Sequence, residues 1–192
     1  MTIAVYCASS NQVHPHYYEE AERLGQLCAE SGISVLYGDG GIGLMGALCR
    51  GVRSRGGQIT GVIPEFMVAE GWNNPASTET IVVKTMHERK ALIAERADAM
   101  VALPGGIGTF EELLEVLTWK QLGLHTKPIV ILNTKGYYDD LLRCLDKMVA
   151  EHFMRPIHRE QMFQVVERAE EVIETIKNAP RWSKDIRREA AI

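Results

Sequence analysis

An apolar run, Asp98 to Leu103, and an amphipathic run, Phe110 to Leu122, flank the stretch Pro104-Gly105-Gly106-Ile107-Gly108-Thr109. A segment such as Asp-Ala-Met-Val-Ala-Leu, with almost no polar face, fits a strand buried on both sides of a parallel sheet. Pro104 lacks the N–H that would continue the ladder. Gly105, Gly106 and Gly108 then let the backbone turn tightly and pass close to a ligand. Thr109 is predicted to cap the helix that follows, with Glu112 completing a capping box. The free amides and positive dipole end of such a helix attract an anion, a phosphate above all. A carboxylate one turn further in can face whatever is joined to that phosphate.

The same alternation runs through the chain. Strands are predicted at Ile3–Cys7, Ile33–Tyr37, Gln58–Ile63, Ile81–Lys84, Ile129–Leu132 and Met162–Val166. Helices are predicted at Tyr17–Ser31, after Gly43 to about Arg55, at Met86–Arg96, Tyr138–Phe153 and Ala169–Lys177. Strands alternating with helices imply an α/β fold with right-handed crossovers, a single-domain, doubly wound, Rossmann-like and mostly parallel sheet flanked by helices. The domain is expected to span residues 1–179, with 180–192 as a charged tail that frays. A chain of 192 residues, 46% of them hydrophobic, is long enough to bury a core of this kind but too short for a second domain.

Charge and composition narrow the function. A net charge of −4 argues against gripping a nucleic acid polymer, which needs clustered cations, but leaves a single nucleotide open. No apolar run approaches the ~18 residues of a membrane span and no secretory leader is evident, so the cytosol is the expected location. Cys7, Cys28, Cys49 and Cys144 stand singly, without metal-ligand spacing, and are expected to be reduced and buried. His14 and His16 share a loop with no third ligand, and His87, His125, His152 and His158 are scattered, so they are expected in loops or on the surface and no metal is expected.

Two further stretches reach toward the loop at Pro104. After the second strand comes a literal GxGxxG, at Gly38, Gly40 and Gly43, with Glu65 near the distance at which a dinucleotide fingerprint places its ribose-binding acid. The fingerprint belongs on the first strand of its fold, and here a whole strand–helix unit precedes it. A dinucleotide oxidoreductase rests on this signal alone and requires Glu65 to contact a ribose. The segment Pro64–Thr80 is the longest irregular one, of the sort that covers sites. The helix from Met86 lacks a clean apolar stripe, and Arg89 near its start can reach the same rim as the glycine loops.

Met86-His87-Glu88-Arg89-Lys90, followed by Pro104-Gly105-Gly106-Ile107-Gly108-Thr109-Phe110-Glu111-Glu112, resembles the paired arginine and PGGxGTxxE motifs of the LOG (Lonely Guy) family, the cytokinin riboside 5′-monophosphate phosphoribohydrolases. Gly43-Leu44-Met45-Gly46, Thr118-Trp119-Lys120-Gln121-Leu122-Gly123 and Lys127-Pro128 agree with it, and the resemblance runs from Ile3 to about Val166. It implies hydrolysis of the N-glycosidic bond of an adenine nucleoside 5′-monophosphate, without a cofactor, by a homodimer. Glu112 would then be the carboxylate that stabilises the ribosyl cation, activates water or bonds covalently. Arg89 would hold the ribose or base side and keep Glu112 ionised, and the 5′-phosphate would take the amides of Gly105, Gly106, Gly108 and Thr109. Ser9, Gly43, Lys90 and Thr118 are further binding candidates, Glu70 loosely matches a substrate-contacting acid, and Glu111 and Glu115 read as surface residues.

One departure stands out. Asp39 interrupts the three consecutive glycines usual in the family's second loop, so either its carboxylate points away from a bound phosphate or this loop holds something other than phosphate. Many bacterial members were once labelled lysine decarboxylases, yet the lysine and acid that would hold pyridoxal phosphate cannot be found as a constellation. The competing function is a binding module that keeps the fold and the phosphate loop without chemistry.

Overall fold

A computed structural model describes residues 1–183. Among them, seven strands pair throughout in parallel: β1 (Thr2–Tyr6), β2 (Ser34–Tyr37), β3 (Ile59–Pro64), β4 (Glu79–Val83), β5 (Ala99–Ala102), β6 (Ile129–Leu132) and β7 (Gln164–Val166). Their order in the sheet is β4-β3-β2-β1-β5-β6-β7. The connecting helices are α1 (Pro15–Glu30), α2 (Gly43–Ser54), α3 (Glu65–Ala69), α4 (Met86–Arg96), α5 (Ile107–Gln121), α6 (Asp139–Ala150), α7 (Pro156–Gln161) and α8 (Ala169–Lys177).

Strand alternation explains why the sheet is covered twice. Ile3 and Val5 of β1, Val35 of β2, Val101 of β5 and Val130 of β6 pack with Leu24 of α1, Leu48 of α2 and Val172 of α8. The intervening Ala4, Leu36, Met100 and Ile131 point the other way, onto Ile93 of α4, Leu113 of α5 and Leu145 of α6. Fully burying one aliphatic side chain contributes about 1.5–3 kcal/mol. Strands apolar on both faces are therefore stable only with helices on both. β4 is one of the two edge strands, and its exposed Glu79 and Thr80 fit that position.

The chain steps outward from β1 through β2 and β3 to β4, then returns to β5 on β1's other side. β1 and β5 thus flank the switch point, where the loops at their C-terminal ends diverge and leave a crevice. Several expectations need correction. α3 interrupts the stretch read as irregular, and α7 falls between two predicted elements, both being too short to show a helical period. Cys144 is exposed, on the side of α6 away from the buried Leu145. His158 is buried, its ring 5.8 Å from that of Trp182, and Trp182 itself is buried and donates its indole N–H to the Lys120 carbonyl at 2.9 Å. The tail expected to fray thus begins docked, and residues 184–192 lie outside the described ones. Among the described residues no helix is long and apolar enough to cross a membrane.

Candidate active site

The loops after β1, β2 and β5 are tied to one another by backbone. Leu103 N–H donates to the Tyr6 carbonyl at 2.9 Å, and Ala8 N–H to that of Pro104 at 3.2 Å. Met45 N–H at the start of α2 donates to the Ala8 carbonyl at 3.2 Å. Gly43 has φ +64, and a methyl group there would lie 2.6 Å from the Ser9 carbonyl carbon. Its N–H donates to Asn11 Oδ1 at 3.0 Å, so Gly43 locks two loops together and does not line the cavity they enclose. That cavity measures about 1020 Å³, at the upper end of the range for small-molecule sites.

One wall is the N-terminus of α5. Gly106, not Thr109, is the N-cap; its φ is −84 and no side chain caps the helix. The expected capping box is therefore absent. Thr109 is the third helical residue and is buried, with Gly105 leaving room for its side chain: a methyl at Gly105 would come 2.1 Å from Thr109 Oγ1. The amides of Ile107, Gly108 and Thr109 have no intrahelical carbonyl, and added methyls at Gly106 and Gly108 would meet nothing within 4 Å. Gly106, Gly108 and Thr109 line the cavity, giving an uncapped, dipole-positive helix end with space before it.

Glu112 follows one turn later on the same side of α5. Its carboxylate lies 3.3 Å from Arg89 Nη1, and both side chains are more than nine-tenths buried. Arg89 also donates from Nε to the Val62 carbonyl of β3 at 3.0 Å, which fixes the guanidinium plane. Arg89 reaches this position across Gly38, where a methyl would lie only 1.9 Å from Arg89 Nη2. The Arg89 charge favours the ionised form of Glu112, as expected, but burial opposes it. Burial is the larger influence and pushes the Glu112 carboxyl up to about 7, while the Arg89 charge pulls it down. Burial also raises the Tyr6 phenol and the Cys7 thiol, with the Glu112 charge acting in the same direction.

The GxGxxG thus has structural explanations: Gly38 admits Arg89, Gly40 sits against Met45, and Gly43 locks the β1 loop. Glu65 is exposed at the start of α3 and is not part of the cavity wall, as a ribose contact would require. Asp39 points away from the cavity, one of the two expected outcomes, and is fully buried behind it, accepting hydrogen bonds from Ser77 at 2.6 Å and Thr80 at 3.1 Å. The wall opposite α5 includes Met67, Trp72, Asn73, Asn74 and Pro75. Their only trace in the sequence is that they lie in its longest irregular stretch.

Of the other candidates, Ser9 lines the cavity, and Gly105 stands behind it, its carbonyl accepting from Tyr137 at 2.5 Å. Glu70, Lys90 and Thr118 do not line it. Glu70 is exposed at the end of α3; Lys90 is paired with Glu111 and, at 3.0 Å, with Glu115; Thr118 donates to the Leu114 carbonyl within α5. Among the described residues no three His, Cys, Asp or Glu side chains are grouped so as to hold a metal ion.

Comparisons with known proteins identify the family. A family model described as possible lysine decarboxylase matches residues 45–176, a span that includes Arg89 and Glu112. The chain is 45% identical over 152 residues to the cytokinin riboside 5′-monophosphate phosphoribohydrolase LOG2 of Arabidopsis thaliana, covering 79% of this chain and 71% of that one. To LOG7 of the same plant it is 46% identical over 157 residues, covering 82% and 72%. Among solved structures, the molybdenum cofactor binding protein of Rippkaea orientalis superposes with a TM-score of 0.71 at 22% identity, covering 92% of this chain and 95% of that one, a likeness of fold. With identity near 45% sustained over about four-fifths of its length, the chain belongs to the LOG family of cytokinin riboside 5′-monophosphate phosphoribohydrolases.

Proposed function

We propose that this chain is a phosphoribohydrolase that cleaves the N-glycosidic bond of adenine-type nucleoside 5′-monophosphates, cytokinin riboside monophosphates among them, to free base and ribose 5-phosphate. The observation that carries the reading is the buried Glu112–Arg89 pair, 3.3 Å apart, one helical turn behind the open amides of α5. Phosphate at those amides sets the ribose beside Glu112. As the C1′–N bond breaks, its electron pair leaves with the base and positive charge grows on the ribose ring. The Glu112 carboxylate stabilises that charge and accepts a proton from the water that attacks C1′, then gives it up to solvent, and the departing base takes up a proton from solvent. Arg89 orients Glu112 and holds substrate hydroxyls.

Assembly follows from α5. Leu114 and Leu122 are exposed at 41% and 47%, spaced so that they share one outer face, and Leu124 continues it at 56%. A second copy of the chain, in a cytosolic homodimer, covers this stripe and brings Lys90 and Thr118, which lie beside it, toward a site.

The experiment is product analysis with AMP and N6-isopentenyl-AMP. Wild type releases free base and ribose 5-phosphate in equal amounts, and Arg89→Ala loses about 10²-fold or more in kcat/KM, the scale of a misplaced catalytic group. Nucleotide binding without release of base from either substrate refutes the reading in favour of a binding module.

A further inference from the structure

Asp39 stands between Gly38 and Gly40 in the loop after β2, and its surroundings say what it does there. Its φ is +60, a conformation glycine adopts freely and other residues adopt at a cost. Its carboxylate is fully buried, which is unfavourable unless hydrogen-bonded. β3 leaves room for it: a methyl at Gly61 would come 1.9 Å from Asp39 Oδ1.

The Ser77 hydroxyl has a single proton to give, and this fixes the direction of a chain of hydrogen bonds. Ser77 donates to Asp39 Oδ1 at 2.6 Å, so the Tyr37 hydroxyl, 2.7 Å away, donates to Ser77. Tyr37 in turn accepts from Asn74 Nδ2 at 2.9 Å. Asn74 Oδ1 accepts from Ala76 N–H at 3.0 Å, bracing Pro75, and Asn73 forms an isolated antiparallel bridge with Gly40, next to Asp39. The segment held in this way carries Trp72, which is 56% exposed and so is not anchored by the core. Once the α5 amides are given to phosphate and the Arg89–Glu112 pair to ribose, the rest of the lining is largely apolar, with Met45, Ile63, Met67, Trp72, Pro75 and Met86. That is the part that faces the base and its N6 substituent.

We infer that Asp39 is a positioning residue for substrate selection: without touching the cavity, it latches residues 72–77 through Ser77, Tyr37 and Asn74 and so sets the wall against which the N6 substituent is read. The inference rests on the phosphoribohydrolase reading for its substrates. It is tested by kcat and KM for AMP and N6-isopentenyl-AMP in wild type, Asp39→Gly and Ser77→Ala. The glycine relieves the φ penalty, and Ser77→Ala breaks the same chain at a half-buried position, so folding of either variant, checked by circular dichroism, suffices.

Loss of a hydrogen bond to a charged group is worth about tenfold or more, and it falls on KM for N6-isopentenyl-AMP. The ratio of kcat/KM between the two substrates therefore moves toward one in both variants, with kcat changing less than KM. A wild-type ratio already near one, a ratio unmoved in both variants, or an equal fall in kcat for both substrates overturns the inference. If wild type releases no base at all, the phosphoribohydrolase reading fails separately. The same ratio is then read from the two dissociation constants by titration calorimetry, with the same criteria.

Discussion

Glu112 is pulled in two directions, and the balance makes a prediction. With its carboxyl pushed up to about 7, the group is protonated below neutrality and ionised above. If the ionised form does the chemistry, kcat/KM falls about tenfold per pH unit below pH 7 and levels off above it. Arg89 is the strongest influence holding the value down, so Arg89→Gln moves the midpoint of this limb to higher pH, which a pH–rate profile measures directly. Arg89 and Glu112, singled out in the sequence by separate motifs, are brought by the fold to 3.3 Å from each other. The capping role of Thr109 was misread because an N-cap is decided by backbone angles, here those of Gly106, and Thr-x-x-Glu does not reveal them. Charge repulsion left two outcomes for Asp39, pointing away or a loop that holds no phosphate, and its partners Ser77 and Thr80, 38 and 41 residues away, had no local signal to decide between them.

At the scale of elements, the site is a meeting of the start of α5, the loop after β2 and the first turn of α4. Gly38→Ala tests that meeting, since its methyl would displace the Arg89 guanidinium from 1.9 Å. A shift of this size costs about 10²-fold in kcat/KM, with secondary structure retained. Gly106→Ala provides the contrast. Its methyl meets no protein atom within 4 Å but projects at the cavity wall, so the variant folds as wild type and raises KM for the nucleotide. Steady-state kinetics and thermal melts of the two variants separate these effects. Strand β6 and helix α8 fall on their predicted bounds because each is a clean apolar or amphipathic run between clear start and stop residues, and α4 does so without a clean apolar stripe, its start fixed by Thr85, whose side chain accepts from the Glu88 N–H. α3 had no such signal; its five residues bury none of their side chains.

For the whole molecule, alternation of strands and helices predicted the doubly wound sheet, but not the return from edge strand β4 to β5 that sets the switch point beside β1. Nor could periodicity show that α5 carries apolar residues on its outer face as well as its inner one, because a helix read alone does not say which face is inside. The exposed face predicts that Leu114→Asp combined with Leu122→Asp converts a dimer to a monomer in sedimentation experiments, while circular dichroism stays that of the folded chain. The most direct test of the central claim, that Glu112 acts in bond cleavage, sets binding against turnover in Glu112→Gln. The account predicts that the variant binds AMP within a few-fold of wild type and loses about 10²–10⁴-fold in kcat. Turnover retained within a few-fold of wild type would contradict it.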